Sequence, residues 1–124
     1  MTDPARDWFS RLALALAGLL GAAGVAAAAA ASHAGDDRIL GALSLIALTQ
    51  APAVLALALF GGRGICLRIA TGLIGLGALV FCLDLAARHF LGHRLLPMSA
   101  PIGGTAMIAG WLTLVVAAIL TRRT

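Results

Sequence analysis

The sequence predicts an all-α integral membrane protein, a four-helix bundle forming a single domain over residues 1–124. Three observations predict it. Hydrophobic residues make up 61% of the chain and charged residues only 11%, whereas soluble domains carry about 25% charged residues. Four apolar stretches, Leu12–Ala31, Ile39–Phe60, Ile65–Ala87 and Ile102–Leu120, each exceed the roughly 18 residues that mark a membrane span. At ~1.5 Å per residue each reaches across a hydrocarbon core of ~30 Å. Short connections then make consecutive helices antiparallel neighbours.

The first span, "LALALAGLLGAAGVAAAAAA", is rich in leucine at its start and then almost pure glycine and alanine. Between helices in lipid, small residues mark close backbone approach, because lipid is as apolar as the side chains. Gly18, Ala22 and Val25 or Ala26 lie along one such face, which predicts a helix central to the bundle. Arg6 and Arg11 ahead of this run, with "SHAGDD" behind it, also resemble a signal peptide cleaved after Ala34. The run of about 20 apolar residues is longer than the usual ~7–15 of such a segment, which favours the span.

Asp36 and Asp37 stand where caps for the second helix are expected, satisfying its free N–H groups and complementing its dipole. Gln50 lies near the middle of that span, two residues before Pro52. The proline removes a backbone donor and frees the carbonyl of Leu48, which Thr49 or Gln50 is placed to satisfy. Gln50 reads as interhelical glue beside a kink, with substrate contact as the alternative. "GGRG" (61–64) forms a tight turn into the third span.

The third span carries the one acidic residue within the predicted spans, Asp84, four residues before Arg88. This spacing sets acid and base on one helix face in the better orientation. Gly77 and Phe81 share that stripe, which predicts that the face looks into the bundle. Asp84 is also placed to accept hydrogen bonds from the last helix near Gly103 and Gly104. A structural clamp is the first reading, and a ligand or proton site the alternative. The third connection is expected to run from Arg88 to Ala100. Pro101 suits the first turn of the last helix and Ser99 its cap.

All nine basic residues are arginines and the net charge is +4. Arg6, Arg11, Arg63, Arg68, Arg122 and Arg123 fall on one side, Arg38, Arg88 and Arg94 on the other. This six-to-three bias places both termini in the cytoplasm, the expected setting being a bacterial cytoplasmic (inner) membrane. Trp8 and Phe9 suit an aromatic belt at that boundary. Arginines gathered at span ends serve topology, so nucleic acid is not an expected partner. The lipid bilayer is, together with a second copy or another membrane protein.

Cys66 and Cys82 are sixteen residues apart on one helix, ~24 Å, far beyond bridging distance. They read as packing residues, with an intermolecular disulfide or reactive thiol as the alternative. His33, His89 and His93 fall on the non-cytoplasmic side. His89 and His93 have the i, i+4 spacing of a metal pair if the helix continues, but the chain has no glutamate and no Cys–His cluster to complete a site. They read as interfacial histidines. No metal or cofactor is therefore expected. No nucleophile–base pair, phosphate loop or dinucleotide motif is present, so the sequence does not read as an enzyme.

Over residues 10–120 the motifs resemble the family of small four-span membrane proteins called domain of unknown function 423, which includes transmembrane-protein-256-like proteins. "AAAASH" keeps Ala29 and His33 of that family's Gly-Ala-Phe-Gly-Ala-His. "TQAPA" keeps Gln50 of Tyr-Gln-x-x-His, with Ala53 in place of histidine. "FCLDL" keeps Phe81 and Leu85, with Leu83 where glycine is usual. "APIGGTAMIAGW" is the closest match, giving Pro101, Gly103, Gly104, Gly110 and Trp111 of Thr-Pro-x-Gly-Gly and Gly-Trp. The resemblance implies architecture and location, not chemistry. The candidate polar cluster is His33, Gln50, Asp84 and Arg88. The expected role is an architectural or assembly-type membrane component. A small oligomeric transporter or channel is the alternative, although the first span lacks the carboxylate that small multidrug exporters use.

Overall fold

The computed structural model describes residues 8–33, 37–60, 64–94 and 96–121. It contains α1 (Trp8–His33), α2 (Arg38–Leu59), α3 (Gly64–Leu91) and α4 (Ser99–Thr121), with no strand among the described residues. All four helices are long and apolar enough to cross a membrane. The fold is an all-α four-helix bundle, and the protein is a multi-pass integral membrane protein. α1 and α3 begin at the end of the bundle where Phe60 lies and finish at the His33 end; α2 and α4 run the other way.

Burial is inverted relative to a soluble bundle. The core is alanine-rich (Ala47, Ala70 and Ala78 are fully buried), while Leu19, Leu45, Leu76, Ile108 and Leu112 point outward and are more than half exposed. Lipid offers these large side chains as good an environment as the protein does. Small residues that let backbones approach therefore set the interior.

α1 packs on α2, α3 on α4, and α2 on α3; α1 touches α3 only slightly. Among the described residues the backbones of α1 and α4 make no contact, nor do those of α2 and α4. The α2/α3 pair is thus the centre, and α1 lies on a flank, correcting the expectation that α1 is central. The expected small face of α1 is also displaced. Gly18, Ala22, Val25 and Ala26 are exposed, and the buried stripe is Ala13, Ala17, Leu20, Gly24 and Ala27. Gly24 fixes that choice: a Cβ there would lie 2.6 Å from Leu48 Cγ and 3.1 Å from the Leu48 backbone nitrogen. At Gly18 the space is open.

Asp37 caps α2 as expected, its Oδ1 accepting from Ile39 N at 2.9 Å and Leu40 N at 3.1 Å. Asp36, Ala34 with the cleavage site read there, and the 61–63 turn with Arg63 lie outside the described residues, as do Arg6, Arg122 and Arg123. α3 runs four residues past its predicted span and stops at Gly92, whose φ of +78° is the left-handed conformation that ends helices and suits glycine. The third connection is therefore 92–98, shorter than the predicted Arg88–Ala100.

The α3/α4 seam brings two backbones close together. A Cβ on Gly77 would lie 2.8 Å from Gly103 O, one on Gly103 would lie 2.7 Å from Gly77 O, and one on Gly110 would lie 2.6 Å from Ile74 Cγ1. Three of the five residues carrying the family resemblance in α4 lie on or beside this seam. Gly103 and Gly110 face α3 directly, and Gly104 packs near the Phe81 ring.

Candidate functional site

At the His33 end the bundle gathers its charge. Asp84 is wholly buried. Its Oδ1 accepts the Ser99 hydroxyl at 2.6 Å, joining α3 to α4. Its Oδ2 lies 3.1 Å from Arg88 Nε, one turn on. That N–H is not aimed along the line to the oxygen, so the pair is held by charge more than by an aligned hydrogen bond. The Arg88 side chain is 30% exposed, although its Nε is buried beside Asp84.

Asp84 meets α4 at Ser99, not at Gly103 and Gly104 as the sequence predicted; those glycines pack instead against Gly77 and Phe81. Ser99 in turn is not a cap. It lies inside the first turn of α4, donating to Asp84 and accepting from Leu96 N at 3.3 Å. Pro101 does sit in the first turn.

A second interhelical contact stands beside it. His89 Nδ1 lies 3.0 Å from Asp37 Oδ2, so one carboxylate both caps α2 and holds α3. The i, i+4 pairing of His89 with His93 fails because α3 ends at Leu91; His93 Nδ1 instead faces Arg94 O at 2.9 Å. No group of three or more potential metal ligands occurs among the described residues.

Gln50 is not part of this cluster. It lies near mid-depth on α2, where its Oε1 accepts from Trp111 Nε1 of α4 at 2.9 Å and its Nε2 donates to Thr49 Oγ1 at 3.1 Å. This side-chain bridge joins two helices whose backbones do not touch. The expected partner, the Leu48 carbonyl freed by Pro52, receives neither side chain. Thr49 donates to Leu45 O at 2.7 Å and also lies 3.1 Å from Ile46 O. An indole N–H at mid-membrane needs an acceptor, and Gln50 supplies it. Gln50→Leu is expected to destabilise the protein by about 1 kcal/mol, and Gln50→Leu with Trp111→Phe by less than the two singles together. Equal effects in sum, measured by detergent-induced unfolding, would mean that the bridge is not formed.

His33 also stands apart: it is exposed in the last turn of α1, with no bond to Asp84 or Arg88 among the described residues. Of the four predicted residues, the structure joins only Asp84 and Arg88. It adds Ser99, Asp37 and His89, and gives Gln50 its own partner. Trp111 was visible in the sequence only as part of a motif. A lone indole in mid-span opposite a lone amide in another span is the signal that could have paired them.

Cys82 is buried and its Sγ lies 4.0 Å from Leu43 O, a packing contact; Cys66 is half-buried. At the Phe60 end, Arg68 lies over the Phe9 ring, 4.7 Å from its centroid, joining α3 to α1.

Together these features define a class: a four-span integral membrane bundle whose polar side chains tie its helices together. Compared with family models, curated proteins and solved structures, the chain matches none.

Proposed function

We propose that this protein is a non-enzymatic, architectural or assembly-type component of a membrane, with both termini in the cytoplasm and, in a bacterial cell, in the cytoplasmic (inner) membrane. The observation that carries this reading is the use made of Asp84. Its carboxylate is wholly buried and bonded to Ser99 of the neighbouring helix. The Asp37–His89 and Gln50–Trp111 contacts likewise join two helices each. Placed so, these groups serve cohesion. The partner in assembly is a second copy or another membrane protein.

Membership of the domain of unknown function 423 family is part of the same proposal. What supports it is that Gly103 and Gly110, which carry the resemblance, are positions where a side chain would collide with α3. The arginine bias supports the orientation. A reporter fused after Thr124 is expected to be active on the cytoplasmic side; activity outside would reverse the topology.

One observation favours a second reading, a small oligomeric transporter or channel: a buried carboxylate in a span is costly and commonly marks an ion pathway. The test is flux in proteoliposomes. Wild type and Asp84→Asn are expected to show the same background flux of protons and small ions. A pH-dependent flux in wild type that Asp84→Asn abolishes would replace the architectural reading with transport.

A further inference from the structure

Between α2 and α4, at the Phe60 end, lies a cleft of about 710 Å³, within the ~300–1,000 Å³ range of ligand sites. Its walls are Ala53 and Phe60 of α2 and Trp111 and Ala118 of α4, and its floor is Gly64 and Leu67 of α3. We propose that this cleft binds one acyl chain of a phospholipid from the leaflet at the Phe60 end.

Depth decides the kind of occupant. The lining occupies only the Phe60 half of each helix, residues 53–60, 64–67 and 111–118. Above Ala53, near mid-depth, the Gln50–Trp111 bridge ties the two walls together. From Ala53 to Phe60 is seven residues, ~10 Å of helix, against a hydrocarbon depth of ~15 Å for one leaflet. A spanning helix from a second copy would have to continue through the whole core, and the bridge stands in its way. A lipid chain of one leaflet ends where the cleft ends.

Chemistry and direction agree with depth. Trp111 is the only lining side chain with a polar atom, and its N–H is already bonded to Gln50. The occupant therefore needs no polar group at the inner end and is hydrocarbon there. A phospholipid of this leaflet keeps its headgroup beside Phe60 and Ala118 and sends its chain toward the bridge, its ordinary orientation. Ala53, Ala56, Ala117 and Ala118 leave the cleft hollow, and a chain seated there makes dispersion contacts on three sides instead of with mobile neighbours.

The test uses the full chain in vesicles of phosphatidylcholine carrying a photoactivatable diazirine either at the acyl terminus or next to the glycerol. The terminal probe is expected to label Trp111 well above Leu19, a mid-depth residue of α1 that is more exposed; the glycerol probe is expected to label Phe60 and Ala118. Labelling of Trp111 no greater than that of Leu19 would overturn the proposal, and wild type alone decides this. Filling the cleft with Ala53→Phe or Ala117→Phe is expected to abolish the Trp111 excess and the phospholipid retained through purification, read by native mass spectrometry. Gly18→Leu, in the separate groove between α1 and α2, is expected to change neither. Retention undiminished in the filled variants would overturn it, as would a disulfide-linked dimer that forms in the bilayer only with Ala56→Cys, which would place a second copy there.

Discussion

Gly103→Ala is expected to destabilise the bundle by about 1–2 kcal/mol, although alanine is the better helix former. The added methyl would sit 2.7 Å from Gly77 O and 2.9 Å from Phe81 N, both backbone atoms of α3. No rotamer change relieves such a clash, so α3 and α4 must separate along the seam. Overpacking of this kind costs typically ~1–3 kcal/mol, and helix propensity returns at most about 1 kcal/mol. Gly103→Val is expected to cost more. The control is built into the same fold: at Gly18 and Gly72 nothing lies within 4 Å of where a methyl would sit, so Gly18→Ala and Gly72→Ala are expected to be neutral or stabilising by up to ~1 kcal/mol. Melting temperatures in one detergent suffice to check this. If Gly103→Ala is tolerated as well as Gly18→Ala, the helices are not packed backbone to backbone.

The second large effect is expected at Asp84. Asp84→Ala removes the acceptor of the Ser99 hydroxyl and the charge partner of Arg88 together. Breaking a buried pair from one side costs ~3–5 kcal/mol. The lower end applies here, because Arg88 is partly exposed and its head can move toward the lipid headgroups. Asp84→Asn is expected to cost less, since its carbonyl oxygen still accepts from Ser99. Combining Asp84→Ala with Ser99→Ala is expected to cost less than the sum of the singles by about 1 kcal/mol, the size of a polar contact between membrane helices. Strict additivity in detergent unfolding would show that the hydroxyl and the carboxylate do not communicate.

Both predictions bear on what a single sequence makes legible. The four helices were readable because hydrocarbon thickness sets a length that runs such as Ile39–Phe60 meet unaided. The Asp84–Arg88 pair was readable because both residues lie on one helix with fixed spacing. Contacts between helices were not, since they depend on register. α3 continues seven residues beyond Asp84, ~10 Å, before residues 92–98 lead into α4, and Asp84 then pairs with Ser99. Placing the connection at 88–100 instead slides the expected partner to Gly103 and Gly104. The face of α1 was misread for a related reason: in an almost uniform alanine–glycine helix every stripe is small. The choice falls to a side chain of α2, Leu48, that meets Gly24.

The arrangement of the helices also bears on how the chain is made. α1 with α2, and α3 with α4, form two antiparallel hairpins whose closest partners are sequence neighbours, meeting mainly along α2 and α3. Each hairpin has close contacts of its own, Gly24 against Leu48 in the first and Gly77 against Gly103 in the second, while Gly75 of α3 meets Leu16 of α1 across the two. Spans that enter the bilayer in pairs can therefore associate as they are synthesised, and the contacts of α3 with α2 and α1 wait for the whole chain. The protein is in this sense two insertion units in one polypeptide, and the connection between them is the place where the chain can be divided and its halves still recognise each other.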